Sequence, residues 1–579
     1  MWRTLIKSIR EYKKPSILAP VYVTVEVIIE CLIPYIMALL VNQIKAGCSL
    51  GVVLRYGLVL LVLASLSLNF GRLSGKAAAT SASGFARNLR KDLFSSIQSF
   101  SFENIDRFSS SSLVTRLTTD VTNVQNAFMM LIRVAIRSPL MLIFAVVMSF
   151  IMGGKLALIF VVVIPMLGIG LFFIIRKAFP IFKRVFRKYD ALNSSIQENV
   201  QGIRVVKSFV REDYEKQKFG VAAEELRQEF TKAEKILAFN GPMMQFCLYI
   251  NMVFILTFGA YTIATTGGLN FNVGQLSSLM IYSFQTLMSL MMLSMVFVMV
   301  TIADESGRRI IEVLSEQSSL TSPEHPVFDV TDGSIDFDQV SFRYSEKAER
   351  MALSNIDLHI RSGETIGILG TTGSSKTSLV QLIPRLYDTT SGIVRVGGRN
   401  VQEYDLASLR NQVSVVLQNN LLFSGTIAEN LRWGNPDASD ADLQQACVFA
   451  QADDFIRSFP QGYETRIEQG GTNVSGGQKQ RLCIARALLK QPRILILDDS
   501  TSAVDTHTDA KIRKALKDYL PETTKIIIAQ RVASVMDADR IVLMDKGGIS
   551  AIGTHEQLLQ TNAIYREIFE SQNKAGEQE

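Results

Sequence analysis

The feature that most limits this chain is a set of six apolar segments, at roughly 17–44, 52–75, 128–152, 156–176, 238–265 and 273–302. A membrane span takes about 20 mainly apolar residues, because the hydrocarbon core is about 30 Å thick and a helix rises about 1.5 Å per residue. Lipid offers no partner to backbone N–H and C=O groups, so such segments are restricted to helices. Beyond about residue 325 the pattern changes to short apolar runs separated by turn residues, as in a soluble α/β protein. At 579 residues the chain exceeds a single core. The change divides it into an all-α six-helix transmembrane domain over 1–320 and an α/β domain over 321–579.

The opening MWRTLIKSIREYKK has the basic character of a signal-peptide start. The apolar run after it is too long, and no small-residue cleavage site closes it, so it reads as a basic amphipathic helix leading into a true span. Arg3, Lys7, Arg10, Lys13 and Lys14 precede the first span, and Lys76, Arg87, Arg90, Lys91, Arg107 and Arg116 lie in the stretch 76–120. The segment 176–188 contains RKAFPIFKRVFRK, whereas the short connections near 45–51, 152–155 and 266–272 hold only Lys45 and Lys155. Basic residues stay on the cytoplasmic side, so both termini, the C-terminal half and two long excursions are expected in the cytoplasm. Those excursions, FARNLRKDLFSSIQSF and YDALNSSIQENVQGIRVVKSFV, keep helical apolar spacing without proline. The membrane helices are therefore expected to run on as rods that carry motion to a soluble domain.

Two acids, Glu26 and Glu30, lie one helical turn apart within the first span. Charge at that depth faces a cavity or a partner helix, which makes them candidates for a substrate cavity or for a structural pair. Met288 and Met292 belong to a methionine-rich last span, where pliable thioethers suit either adaptable binding or ordinary helix packing. Arg133 and Arg137 lie near the cytoplasmic end of the third span, where long side chains snorkel. The five cysteines form no metal or disulfide pattern. A net charge of +6 on this length carries no footprint for nucleic acid.

The run ETIGILGTTGSSKTSLVQLI reads as a buried strand, a Gly-rich turn and a helix. It carries the phosphate-loop pattern G-x-x-x-x-G-K-[ST] through Gly370, Thr371, Thr372, Gly373, Ser374, Ser375, Lys376, Thr377 and Ser378. Inward N–H groups and a helix N-terminus suit an anion, the lysine reaches the terminal phosphates, and the Thr377 hydroxyl suits Mg²⁺. Ser375 stands where the second pattern glycine is expected; a serine there either fits with little strain or weakens phosphate approach.

Further on, NVSGGQKQRLCIARALLKQPRILILDDSTSAVD resembles the nucleotide-binding domain of ATP-binding cassette (ABC) transporters, and the resemblance extends over essentially the whole chain. VSGGQ is similar to the signature loop, LILD to the Walker B strand, SAVD to the D-loop ending at Asp505, and Gln418 to the Q-loop residue. Tyr344 fits the aromatic that stacks on adenine, and EQGG (468–471) lies where the family places a coupling segment. Six helices followed by one cassette match a half-transporter of the exporter type (type IV). The resemblance implies ATP and Mg²⁺ as cofactors, with Lys376 on the β/γ-phosphates and Thr377, Gln418 and Asp498 around the metal. It also implies that Ser475, Gly476, Gly477 and Gln478 clasp ATP bound by a partner chain in a head-to-tail dimer.

Two departures from the family bear on catalysis. The residue after the Walker B aspartate is usually Glu; here Asp499 is one methylene shorter, about 1.5 Å of reach. The family normally has His where Gln530 stands, and an amide cannot share the imidazole's charge state. A positioned general base supplies roughly 10²–10⁴-fold, so ATP should bind at this site but turn over slowly. A homodimer would then hold two impaired sites, whereas the intact signature loop serves ATP held by another chain. A heterodimer is expected, with a partner that carries Glu and His at the corresponding positions. The expected activity is export of hydrophobic or amphipathic compounds, multidrug type, across a bacterial plasma membrane. A lipid or peptide cargo, or an ATP-latched regulatory protein that does not pump, are the alternatives.

Overall fold

The computed structural model describes residues 2–345, 348–500 and 504–576. It divides into two compact units, one made of the chain up to Gln98 with Ser109–Glu316, the other of Ser99–Phe108 with the chain from Gln317 onward.

The first unit is helical throughout. Its long elements are α1 (Lys13–Lys45), α2 (Leu50–Ser99), α3 (Val121–Gly153), α4 (Ile159–Gln201), α5 (Glu212–Leu237), α6 (Asn240–Thr266) and α7 (Val273–Ser315). Among the described residues, five continuous helical runs are long and apolar enough to cross a membrane. One of them, Ser110–Phe182, is 73 residues long and contains both α3 and α4. It is divided where Gly154 takes φ 48°, a conformation that glycine adopts without a Cβ clash. Six apolar helices result. Helix α7 starts at a reciprocal cap, the Asn272 side chain accepting from Gln275 N–H and the Gln275 side chain from Asn272 N–H, each at 2.9 Å.

The excursions are less continuous than their apolar spacing predicts. Helix α2 does carry FARNLRKDLFSSIQS to Ser99, but α4 ends at Gln201. Gly202 leaves helical geometry at φ −86°, ψ 10°, and a six-residue helix, Ile203–Ser208, precedes α5. Glycine's conformational freedom makes it a weak helix residue, and here it ends the rod. The first excursion returns through a π-helical turn at Arg116–Asp120. There Arg116 binds Glu312 at 2.8 Å and the Arg309 carbonyl at 3.0 Å, while Arg309 binds the fully buried Asp120 at 2.5 Å. These charges join the start of α3 to the end of α7.

The second unit is built on a six-stranded sheet and a four-stranded sheet. The strands are β1 (Ile335–Phe342), β2 (Leu353–Ile360), β3 (Thr365–Gly370), β4 (Ser391–Val396), β5 (Arg399–Asn400), β6 (Val413–Val416), β7 (Ile494–Asp498), β8 (Thr524–Ile528), β9 (Arg540–Asp545) and β10 (Gly548–Gly553). The larger sheet has the order β10-β9-β3-β8-β7-β6, parallel except for the edge strand β10. Both faces of its central strands are covered, which explains why ILILD is apolar without alternation. Ile494 and Ile496 point into one core with Ile366, Ile368, Ile526 and Ile528. Leu495 and Leu497 point into the other with Leu482 and Ile484 of the helix Gly476–Leu489. The short helix Phe102–Phe108 belongs to this unit: Asp106 accepts from the Tyr387 hydroxyl at 2.9 Å, and Asn104 donates to the Gln317 carbonyl at 3.3 Å.

Candidate nucleotide-binding site

The parallel strands β3, β8 and β7 are consecutive in the sheet, so their C-terminal ends deliver three segments to one edge. This is where open α/β sheets bind ligands, because strand ends leave a crevice and helices begin there. After β3 the chain turns through 371–375 into α8 (Lys376–Gln381). Gly370 is required at the turn: a Cβ there would run into the Met544 carbonyl and the Ser374 hydroxyl. Ser375 takes φ 69°, ψ 27°, the left-handed region. A side chain in that region costs roughly 1–2 kcal/mol, which is the physical reason the pattern asks for glycine.

Lys376 folds back over its own loop, donating to the carbonyls of Gly370 at 2.9 Å and Thr371 at 3.0 Å and to the Ser374 hydroxyl at 3.4 Å. Neutral oxygens hold the ammonium at the loop mouth, where a phosphate would bind it more strongly as a charged acceptor. Burial pulls the Lys376 pKa down, and Asp498 and Asp499 oppose that shift. Thr377 lies beside the Asp498 carboxylate, which is buried at the end of β7. Burial raises the Asp498 pKa and neighbouring Asp499 adds to the rise, while Thr377 and Lys376 counter it. A hydroxyl, a carboxylate and a loop of N–H groups at a helix start form a donor set that fits Mg²⁺ with a nucleoside triphosphate.

Asp499 sits at φ 48° with its N–H donating to the Ile528 carbonyl at 2.9 Å. Its Oδ2 accepts from Gln530 Nε2 at 2.9 Å and from Gln418 Nε2 at 3.3 Å. The general-base, switch and Q-loop positions thus lie together, with one carboxylate oxygen holding both amides. Burial pushes the Asp499 carboxyl above its usual range, and Gln418, Gln530 and Lys376 oppose it.

Tyr344 is half exposed; its hydroxyl lies 2.8 Å from Ser378 Oγ and donates to Gln381 at 3.2 Å, beside the first turn of α8. Ser475 caps α9 (Gly476–Leu489): Gln478 N–H donates to its hydroxyl at 3.3 Å, and Ser475 N–H donates to the Gln478 side chain at 2.9 Å. Among the described residues, no hydrogen bond or ion pair links this helix start to the phosphate loop. Asp505 caps α10 (Thr506–Tyr519), accepting from Thr508 N–H at 2.9 Å, while Ser502 and Ala503 of the SAVD stretch lie outside the described residues.

Two family models match the chain, the ABC transporter transmembrane region over residues 16–300 and the ABC transporter domain over 353–502. An uncharacterized ABC transporter ATP-binding protein of Bacillus subtilis, YfiB, is 37% identical over 564 residues, covering 97% of each chain. This chain belongs to the ABC transporter family. The uncharacterized ABC transporter ATP-binding protein Rv1273c of Mycobacterium tuberculosis is 33% identical over 98% of each chain. A solved bacterial Atm1-family ABC exporter with ATP bound shares the fold, with a TM-score of 0.83 over 97% of this chain and 98% of that one at 23% identity. As a member of the family the chain spans a membrane through its helical unit and carries an ABC ATPase domain.

In the membrane unit of this ABC transporter, Arg137 is engaged by the first long helix. It pairs with both acids of α1, through Nη1 to Glu26 and through Nη2 to the two Glu30 oxygens at 2.7 and 2.9 Å. Gly71 of α2 makes room for this cluster, since a Cβ there would press on the Glu26 carboxylate. Met288 is half-buried on α7 and Met292 is exposed. Sequence reasoning missed Arg137 as a partner, although an arginine inside a span facing two acids in another span is a signal that charge pairing could have read.

Proposed function

We propose that the chain is one half of an ATP-driven exporter that pairs with a second, non-identical half-transporter and turns ATP over slowly at its own site. The observation that carries this reading is the Asp499 carboxylate, whose Oδ2 is shared by Gln530 and Gln418. A carboxylate that activates water must bring an oxygen within hydrogen-bond reach of that water, and here Oδ2 is already committed to two amide donors. The Asp499 backbone is tied to Ile528, so the side chain cannot advance to recover the missing methylene. Burial raises its pKa, so the deficit in this reading is one of reach.

Binding and turnover separate because phosphoryl transfer depends on positioning and charge. In the proposed cycle Lys376 leaves its loop carbonyls for the β/γ-phosphates, while Thr377 and Asp498 would hold Mg²⁺, whose charge would offset that of the phosphate oxygens. Tyr344 offers its ring to the base. Ser475, Gly476, Gly477 and Gln478 close on ATP held by the partner, whose own Glu and His supply fast hydrolysis. Long occupancy of this chain's site and turnover at the other then drive alternation between inward- and outward-facing states. The cargo is hydrophobic or amphipathic, and the bacterial relatives favour the plasma membrane.

The test is ATPase activity. The purified chain alone should turn over slowly, and brisk hydrolysis by its homodimer would refute the assignment. In the assembled pair, Asp499→Asn should reduce the rate far less than neutralising the partner's corresponding glutamate. Stimulation of the pair's ATPase by amphipathic compounds distinguishes pumping from an ATP latch.

A further inference from the structure

Beyond Ala529, whose N–H still donates to the Ile368 carbonyl at 3.2 Å, the chain after β8 leaves the sheet and loses its neighbouring strands. The next residue is Gln530, whose side chain reaches Asp499, and its backbone is held from an unexpected direction. Gln572 Nε2 donates to the Gln530 carbonyl at 2.8 Å, and Gln572 Oε1 accepts from Val532 N–H at 2.8 Å. One side-chain amide thus spans a C=O and an N–H two residues apart, the pairing that an adjacent β-strand would provide. Rotating the segment about Arg531 would break both bonds at once.

Gln572 is itself firmly placed on α11 (Ala563–Gly576). Tyr565 of that helix is fully buried with its hydroxyl 2.7 Å from His555 Nδ1, and Ile568 and Phe569 pack on the same core. Positions 565, 568, 569 and 572 share one helical face, so docking of α11 sets where the Gln572 amide points. A second link restrains the segment from the other side, where Ser534 donates to Asp509 of α10 at 3.1 Å.

We propose that Gln572 is a positioning residue of the ATP site: it fixes the backbone of 530–532 so that the Gln530 amide stays over the Asp499 carboxylate. The C-terminal helix thereby sets how firmly this site holds its nucleotide. The inference requires only that ATP binds here, and stands whether hydrolysis at the site is fast or slow.

The experiment uses the full chain in lipid nanodiscs, with hydrogen exchange read at 529–534 and the release rate of Mg-ATP measured in parallel. Gln572→Met, close in shape but unable to hydrogen-bond, should speed exchange at the Val532 amide at least tenfold and speed ATP release several-fold, with the melting temperature unchanged. Gln572→Glu keeps the acceptor for Val532 N–H and loses the donor to Gln530. It should retain Val532 protection yet still release ATP faster, a split that a purely structural anchor does not produce. Wild-type release in Gln572→Glu overturns the proposal, as does a Gln572→Met chain that loses protection throughout α11. Should Gln572→Met fail to fold, the Gln572→Glu result decides alone.

Discussion

Replacing Ser375 by glycine should stabilise the nucleotide-binding unit without changing any contact. Ser375 holds φ 69°, ψ 27° and makes no side-chain cap at the start of α8. An L-residue in this region costs roughly 1–2 kcal/mol. Glycine removes that cost but enlarges the unfolded ensemble, a loss of about 0.4–1 kcal/mol. The difference leaves a gain of about 0.5–1 kcal/mol, or a rise of about 1–4 °C in the melting temperature of a domain this size. The assay is thermal unfolding of the nucleotide-free chain beside Ser375→Ala, which keeps the Cβ and removes only the hydroxyl. Alanine should melt with the wild type and glycine above both. If glycine melts no higher than alanine, the backbone is not strained at this position. A gain seen only in ATP affinity would refute the argument as well, because the strain lies in the loop itself.

In the assembled transporter, Asp499→Glu with Gln530→His should raise ATP turnover measured by phosphate release, since both reach and imidazole chemistry are restored; unchanged turnover would place the defect elsewhere. Asp498→Asn should abolish Mg²⁺-dependent ATP binding by titration and yet raise the nucleotide-free melting temperature. The sign follows from the raised pKa of Asp498: its ionisation opposes folding, so stability is lost as pH rises through the folded pKa. The gain from asparagine should therefore be largest at neutral and alkaline pH and vanish below the ordinary carboxylate range. Arg137→Met leaves Glu26, whose side chain is 8% exposed, without its cation. Removing one partner of a buried pair typically costs about 3–5 kcal/mol, and the partial exposure of Arg137 favours the lower end. Loss of the folded peak in size-exclusion chromatography should be reversed by adding Glu26→Gln and Glu30→Gln.

The motifs that sequence disclosed are those in which the chemistry is local. Gly370 to Thr377 is a strand end, a turn and a helix start within one short run, so the order of residues alone reports the cradle. LILD was legible through its resemblance to the Walker B strand, and its lack of alternation fits a strand covered on both faces. The pairing of Arg137 with Glu26 and Glu30 was hidden because α1 and α3 meet only through packing, and a snorkelling arginine has the same local pattern. Ser375 left two readings open until its φ was known. The apolar spacing around Gly202 carried a helix signal through a residue whose backbone freedom ends the helix. Gln572 is a polar residue on an exposed amphipathic helix, and nothing adjacent to it in sequence points to position 530.

The membership of Ser99–Phe108 in the nucleotide-binding unit has a practical consequence. No single cut releases that unit intact, because part of its body is encoded more than 200 residues upstream of the rest. A soluble fragment begun at Gln317 would lack Asp106 beneath the Tyr387 hydroxyl and Phe102 beside its ring. Such a fragment would expose an aromatic surface that the whole chain covers. Its solubility and melting behaviour would then describe a truncated object, and a fusion that supplies residues 99–108 through a linker is the better starting point for isolating the ATPase.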